Sequence, residues 1–258
     1  MPAIDPGRLE REVEHIRTLL PDVGRVTRQA SDLMERYADR TRRPGSTSRS
    51  QPRLTVPHPV VMTLARSLHA GTIGDVDAQG TLADSLWETE QTELRRTAAA
   101  MLSMRQDDGV PVLAERWART CTNASVREEL AGKGIQAWRD AQPEEALQQM
   151  KIWLEKPWTH VQAFTLLVLQ ELVAQPGFDN LPAIFHLLHP VSRFERREVR
   201  IALQALVEIL IERSPPEAAF FIIDELASGH KRAVQLARKT LKAFPRDQQR
   251  LIRRALSA

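Results

Sequence analysis

The side chains best suited to chemistry in this sequence are cations clustered in its last third. The candidates are Arg193, Arg196, Arg197, Arg200, Lys231 and Arg232. The four arginines stand at relative positions 0, 3, 4 and 7, which predicts one basic helix face over two turns. Because guanidinium and ammonium groups bind phosphate oxygens, this spacing favours contact with a nucleic-acid backbone. A solvated face with salt bridges to neighbouring glutamates is the alternative.

Three of the five tryptophans are candidates for stacking on nucleic-acid bases. Trp117, Trp138 and Trp158 each lie close in sequence to an arginine or lysine, a combination that suits base stacking. Trp87 and Trp153 fall within apolar stripes and are expected in the core. Packing between helices is the competing explanation for the three candidates.

Metal and covalent chemistry find little support in the sequence. His186 and His189 are spaced for two ligands on one helix face, but no third ligand accompanies them, so a structural role is favoured. Cys121 is the only cysteine, which excludes an internal disulfide and a cysteine-based zinc site and suits a reducing compartment. Walker, GxGxxG and GxSxG motifs do not occur. We therefore predict no catalytic residue, no metal and no cofactor.

The composition is that of a folded helical protein. With 258 residues, of which 42% are hydrophobic, the chain can bury a sizeable core, and its 11 glycines are few for a sheet protein. Good helix formers fill most of the length, which predicts an all-α fold. Residues 181–258 carry 14 Lys and Arg against 8 Asp and Glu, an excess that suits a polyanion-binding surface. No signal peptide or membrane span is recognisable, so a cytoplasmic location without membrane contact is expected.

Three regions are predicted along the chain. Residues 1–40 carry two apolar stripes separated by Pro21 and predict an N-terminal helical pair. Residues 41–57 are rich in Ser, Pro and Arg and predict a linker or long loop. Residues 58–258 alternate apolar-striped segments with short polar breaks and predict the main helical domain. Helix starts are predicted at Ser125, Ser192 and Ser214 from their capping patterns, and a helix end at Gly229.

The main domain shows a repeating pattern. Five similar segments end at Leu102, Ile135, Leu169, Leu206 and Leu241, at spacings of 33, 34, 37 and 35 residues. Each is preceded by a shorter predicted helix, so the pattern predicts an α-solenoid superhelix of about five helix-pair repeats. In the segment ending at Leu169, we expect Val161, Phe164, Leu167 and Leu172 to pack between neighbouring repeats.

The same arrangement predicts a basic ladder. Second-helix starts line the concave surface of a right-handed stack of helix pairs. Arg95, Arg127, Arg200 and Arg232 stand near these starts and are predicted to line that surface as contacts for a phosphate backbone.

Two groups of residues carry a resemblance to known families. Val126-Arg127 and Val199-Arg200 open segments that resemble the second helix of HEAT repeats, with Leu94-Arg95 as an approximation. Leu82–Leu102, "LADSLWETEQTELRRTAAAML", and "PWTHVQAFTLL" resemble segments of the DNA alkylation repair family, HEAT-like glycosylases that excise alkylated purines. The resemblance covers roughly residues 57–258 and implies a HEAT-like fold with a link to DNA alkylation repair.

The departures from that family favour a protein without catalysis. The glycosylases present a carboxylate, flanked by Trp residues and an Arg, to stabilise the positive charge that develops on the nucleoside. Here the Trp-Asp-x-x-Asp segment is absent, and Gln162 stands where the family has an arginine. The expected function is a binding scaffold for DNA or RNA backbone. An active alkylpurine glycosylase and a protein-binding adaptor are the alternatives, and the sequence does not specify an oligomeric state.

Overall fold

The computed structural model describes residues 4–38 and 56–257 of the chain. Every regular element in these residues is helical, which confirms the all-α prediction. The helices are α1 (Pro6–Arg17), α2 (Val23–Tyr37), α3 (His58–Gly71), α4 (Val76–Glu88), α5 (Thr92–Leu102), α6 (Gly109–Thr120), α7 (Ala124–Glu129), α8 (Gln136–Ala141), α9 (Pro143–Glu155), α10 (Thr159–Ala174), α11 (Leu181–Val191), α12 (Arg197–Arg213), α13 (Pro215–Ala227), α14 (Lys231–Thr240) and α15 (Arg246–Ser257). A π-helical turn, Leu130–Gly134, joins α7 to α8, and a short 3₁₀ helix, Leu241–Ala243, follows α14.

The chain divides into two compact units. Unit 1 comprises residues up to Trp117 together with Cys121–Pro143, and unit 2 comprises Ala118–Thr120 with Glu144–Ala258. In unit 1, α1, α3, α5 and α7 pack on one another in that order, and α2 packs on α4. In unit 2, α10, α12 and α14 form one layer, while α11, α13 and α15 form another. Packing each helix on the next but one is the pattern of stacked helix pairs.

The predicted helix pairs are present in the described residues. The five predicted second helices correspond to α5, α7, α10, α12 and α14, and each follows at least one other helix. The expectation that the first helix of a pair is the shorter one is wrong for several pairs. For instance, α13 has 13 residues, whereas α14 has 10. The likeness to HEAT repeats stays a prediction.

The N-terminal region partly lies outside the described residues. The predicted helical pair is present as α1 and α2, which pack on α3 and α4 within unit 1. Apolar side chains on one face of each helix explain this packing, since Leu9, Val13, Val26 and Leu33 are all buried. The predicted linker, 41–57, falls almost entirely outside the described residues. At its end Val56 is buried and Pro57 occupies the N-cap position of α3.

The helix starts correct two of the predicted caps. Asn123, not Ser125, is the N-cap of α7, and its Oδ1 accepts from the backbone N–H groups of Ser125 and Val126. Ser192 lies at the C-cap of α11, whereas α12 begins only at Arg197. Capping patterns overlap at helix ends, because a serine can accept an N–H at the next helix or donate to a carbonyl of the last.

Two other predicted boundaries are confirmed. Ser214 is the N-cap of α13, with Pro215 at its first helical position, although the Ser214 side chain makes no capping hydrogen bond. Gly229, two residues after α13 ends, has a φ of 74°, a left-handed conformation that favours glycine.

The core of unit 2 is centred on α10. Val161, Phe164 and Leu172 are buried as predicted, but Leu167 is partly exposed. Leu166 and Leu169 fill the core on either side of it and are both 0% exposed. Among the described residues, no helix combines the length and apolarity that crossing a membrane requires.

Candidate nucleic-acid interface

The fourth residue of several second helices turns back into the protein. Arg95 is the fourth residue of α5, and its Nε donates to the carbonyl oxygen of Trp87 near the end of α4 at 2.9 Å. Arg127 is the fourth residue of α7, and its Nη1 donates to the carbonyl of Cys121 at 3.2 Å. Each guanidinium group therefore donates to a backbone carbonyl at or just beyond the end of the preceding helix. Carbonyl groups at such positions have no partner within the helix.

This placement corrects the predicted basic ladder at two positions. Arg95 and Arg127 are only 8% and 7% exposed, so neither presents its charge on the surface. The hydrogen bond that each guanidinium donates to a carbonyl offsets part of the cost of its burial, and at Arg95 the Trp87 ring, 5.3 Å away, adds to this. The Val-Arg pair thus serves folding here, with the aliphatic residue in the core and the arginine as a cap.

Gln162 occupies the same position in α10 and has the same role. Its Nε2 donates to the carbonyl oxygens of Leu154 at 3.3 Å and Lys156 at 2.6 Å, at the end of α9. The side chain is 8% exposed. The residue that stands in the place of the family's arginine is therefore a buried helix cap.

Two of the three candidate tryptophans are buried. Trp117 stacks on Trp87 with ring centroids 4.7 Å apart and an angle of 7° between the planes. It is 1% exposed and Trp138 is 2% exposed, so neither ring offers a free face to a base in this conformation. Trp158 is partly exposed, and the Arg119 guanidinium lies 4.0 Å from its ring centroid. Of the three, Trp158 is the one that a ligand can reach.

A carboxylate that the sequence did not single out lies beside the buried tryptophan pair. Asp84 of α4 accepts a hydrogen bond from the Trp117 indole N–H at 2.6 Å and forms an ion pair with Arg116. The Trp117 indole therefore occupies one carboxylate oxygen, and the Arg116 guanidinium compensates the negative charge at the other. Asp84 and Trp117 are 33 residues apart in sequence, so only the packing of α4 on α6 brings them together.

The basic segment before α12 is not one helix face. Arg193 and Arg196 precede α12, and only Arg197 and Arg200 lie on it, three residues apart. The chain from Ser192 to Arg196 is not helical because α11 ends there, so the spacing of 0, 3, 4 and 7 does not translate into one stripe. Arg193, Arg196 and Arg197 are exposed, and no ion pair to them is found in the described part of the chain.

The N-terminal ends of α10, α12 and α14 lie side by side. His160 Nδ1 of α10 is 3.0 Å from Glu198 Oε2 of α12. Arg200 of α12 donates to Gln235 Oε1 of α14 at 3.3 Å, and Arg232 donates to the same oxygen at 2.9 Å. The positive ends of three helix dipoles therefore point to one edge of unit 2.

A cleft at this edge is lined by three cations. Arg200, Arg232 and Lys239 surround it, with Gln204 and Gln235 between them. The Nε of Arg200 is buried and has no hydrogen-bond acceptor among the described residues. Arg232 Nη2 lies 3.8 Å from Glu195, whose side chain is 83% exposed, so this pair is weak. Lys239 was missed as a site residue, although its spacing of seven from Arg232 predicts the same face of α14.

The comparison with known proteins identifies the family. The model of the DNA alkylation repair enzyme family matches residues 27–199, well over half of the chain. The chain belongs to the DNA alkylation repair enzyme family. None of the curated proteins matches it, and none of the solved structures does.

The extent of the family match separates the two groups of candidate residues. Asp84, Trp117, Arg127 and Gln162 lie inside the matched residues, which begin within α2 and end near the start of α12. Arg200, Lys231, Arg232 and Lys239 lie beyond them. The cationic cleft is thus a feature of this chain that membership of the DNA alkylation repair enzyme family does not by itself account for.

Proposed function

We propose that this protein is a non-catalytic helical scaffold that binds the phosphate backbone of nucleic acid through the basic edge of unit 2. The observation that carries the proposal is a cluster of cations on α12 and α14. Arg200 and Arg232 lie near the adjoining N-terminal ends of these helices, and Lys239 lies in the last turn of α14. Arg193, Arg196 and Arg197 are exposed and lie in sequence between Ser192 and Arg200, which both line the cleft. Lys231, at the first position of α14, adds another exposed cation.

Phosphate is the ligand that fits this edge best. Backbone N–H groups and dipoles at helix N-termini favour anions, and the buried Arg200 Nε lacks an acceptor that a phosphate oxygen would supply. Arginine adds a planar, fork-shaped set of donors that matches phosphate. These groups recognise the charge and spacing of a backbone, so we expect little sequence preference.

One feature of each unit supports a role without catalysis. A carboxylate that stabilises a developing nucleoside cation must face the lesion with its charge available. Asp84 instead accepts from Trp117 and pairs with Arg116, and the stacked Trp117 ring is buried. Gln162 is committed to capping α9.

The binding proposal is tested by fluorescence anisotropy with labelled duplex and single-stranded DNA over a series of salt concentrations. If about four cations contact phosphates, the slope of log affinity against log salt for duplex will be about −3 to −4. The double variant Arg197→Glu with Arg200→Glu is expected to weaken binding at least tenfold and to flatten the slope. The matched control, Arg253→Glu with Arg254→Glu on α15 of the same unit, makes the same charge change away from the cleft and is expected to have a smaller effect.

Two results would contradict the proposal. Absence of binding to every nucleic acid at low salt would leave a protein-binding adaptor as the better explanation. Equal losses in the two double variants would show that overall charge, and not this edge, governs binding.

A separate assay tests catalysis. The protein is incubated with duplex DNA that contains an alkylated purine, and released base is measured by chromatography. We expect no release above the buffer control. Release that is lost in Asp84→Asn would show an active glycosylase and would refute the non-catalytic part of the proposal.

A further inference from the structure

A histidine and two carboxylates that do not themselves line the basic cleft meet in unit 2. His189 of α11 has its Nδ1 2.6 Å from Glu225 Oε1 and 3.8 Å from Asp224 Oδ2, both on α13. One ligand atom from each residue lies within 4.8 Å of the other two. The His186 and His189 spacing suggested a metal motif that lacked a third ligand. The packing of α11 on α13 supplies two carboxylates that the sequence places 35 and 36 residues away.

The Glu225 carboxylate is unusual because it is buried. Its side chain is 2% exposed, and its second oxygen, Oε2, accepts a hydrogen bond from the Ser192 hydroxyl. Burying a carboxylate is costly unless it is hydrogen-bonded and paired with a cation or bound to a metal. The hydrogen bond from Ser192 fixes the orientation of the carboxylate. Side chains that carry metal ligands are commonly held by a hydrogen bond of this kind to a neighbouring residue.

An open groove gives access to this cluster. A groove of about 540 Å³ is lined by His189, His186, Phe185 and Phe221, together with the exposed Phe220. The Phe221 ring lies 5.3 Å from the His189 ring and restricts its orientation. His186, one helical turn before His189, lines the same groove and is exposed.

We propose that His189, Asp224 and Glu225 form a binding site for a divalent transition-metal ion, with zinc as the best match. Imidazole nitrogen and carboxylate oxygens are zinc ligands, and three protein ligands leave a fourth position for water or for a group in the groove. In a tetrahedral site with bonds of about 2.1 Å, neighbouring ligand atoms are about 3.4 Å apart. The 2.6 and 3.8 Å separations lie within about 1 Å of that value, and the third separation, between the two carboxylates, is at most 4.8 Å.

The competing explanation is a His189–Glu225 hydrogen bond without any ion. That pair needs no help from Asp224, whose side chain is 57% exposed. Asp224→Asn therefore separates the two explanations, because it removes a metal ligand and leaves the His189–Glu225 contact intact. The variant is also expected to fold, since an exposed side chain contributes little to the core.

The test uses the full chain without an affinity tag, freed of metal by a chelator. Cobalt(II) is titrated and its visible absorption recorded, and zinc is then added to displace it. We expect one cobalt ion per chain and displacement by zinc, with affinity weakened at least tenfold in Asp224→Asn and lost in His189→Ala. The control His160→Ala, which removes a different histidine–carboxylate contact in unit 2, is expected to bind cobalt like the parent protein.

The proposal would be overturned if neither cobalt nor zinc bound at millimolar concentration. It would also be overturned if the two single variants, Asp224→Asn and His189→Ala, both bound metal like the parent protein. Circular dichroism of each variant distinguishes loss of a ligand from loss of the fold. None of the three ligands lines the basic cleft, and cobalt absorption is recorded without nucleic acid, so this test can fail or succeed whatever the outcome of the DNA-binding test.

Discussion

Replacing Gln162 by Met should destabilise unit 2, because the change removes two hydrogen bonds, one buried and one part-buried. The Gln162 amide donates to the carbonyls of Leu154 and Lys156, and Met has a similar size but no donor. A hydrogen bond contributes about 1 kcal/mol net, so the loss of two is expected to lower the free energy of unfolding by about 2 kcal/mol. The exposed Gln148 of α9 provides a matched control, and Gln148→Met should change stability little.

The assay is urea denaturation followed by circular dichroism and tryptophan fluorescence. With a slope of about 2 kcal/mol per molar urea, a loss of about 2 kcal/mol moves the midpoint of the unit 2 transition down by about 1 M. Trp153 and Trp158 lie in unit 2 and report on it.

A second substitution at the same position tests the capping role directly. Gln162→Arg should preserve stability to within about 1 kcal/mol, because an arginine at this helix position already caps the preceding segment in Arg95 and Arg127. It should also leave DNA affinity unchanged, since the side chain faces carbonyl groups. The reasoning would be refuted by a midpoint that Gln162→Met does not move, or by tighter DNA binding in Gln162→Arg.

Three further measurements test the packing. Burial raises the pKa of Glu93, so the folded protein favours the protonated carboxyl, and the stability that this group contributes is lost as the pH rises through the raised pKa. Glu93→Gln should therefore stabilise unit 1 at neutral pH but not at pH 4, and urea midpoints at the two pH values measure this. Burial also raises the pKa of the Cys121 thiol, so a thiol reagent should label it slowly in native protein and quickly in urea; fast native labelling would contradict its burial. Leu169→Ala should cost about 2 to 5 kcal/mol by thermal or urea unfolding, and Leu167→Ala clearly less, so equal losses would contradict the assigned core.

The periodicity of apolar residues was a reliable guide to the helices but not to every buried position. The stripe through Val161, Phe164 and Leu172 predicts one buried face, whereas α10 is buried on most of its circumference. A helix packed on both sides has no single apolar stripe, so its sequence cannot show that Leu167 is the position left partly exposed.

Charge was harder to interpret from the sequence than apolarity. Arg95 and Arg127 have the residue type of a phosphate contact, yet they are buried caps. Arg193 and Arg196 have helical spacing, yet they precede the helix. A long cationic side chain can turn toward a carbonyl or toward solvent at nearly the same backbone position, and only the neighbouring helix decides between these directions.

The sequence by itself determined the helical class, the order of the helix pairs and the excess of cations in the last third, because these depend on local propensity and on counting. Only the tertiary structure decided which charged groups share a site. Asp84 meets Trp117, Arg200 meets Arg232 near Gln235, and His189 meets Glu225 across about 30 residues or more of intervening chain. Such contacts depend on how each helix packs on the next but one, and local propensity does not specify that packing.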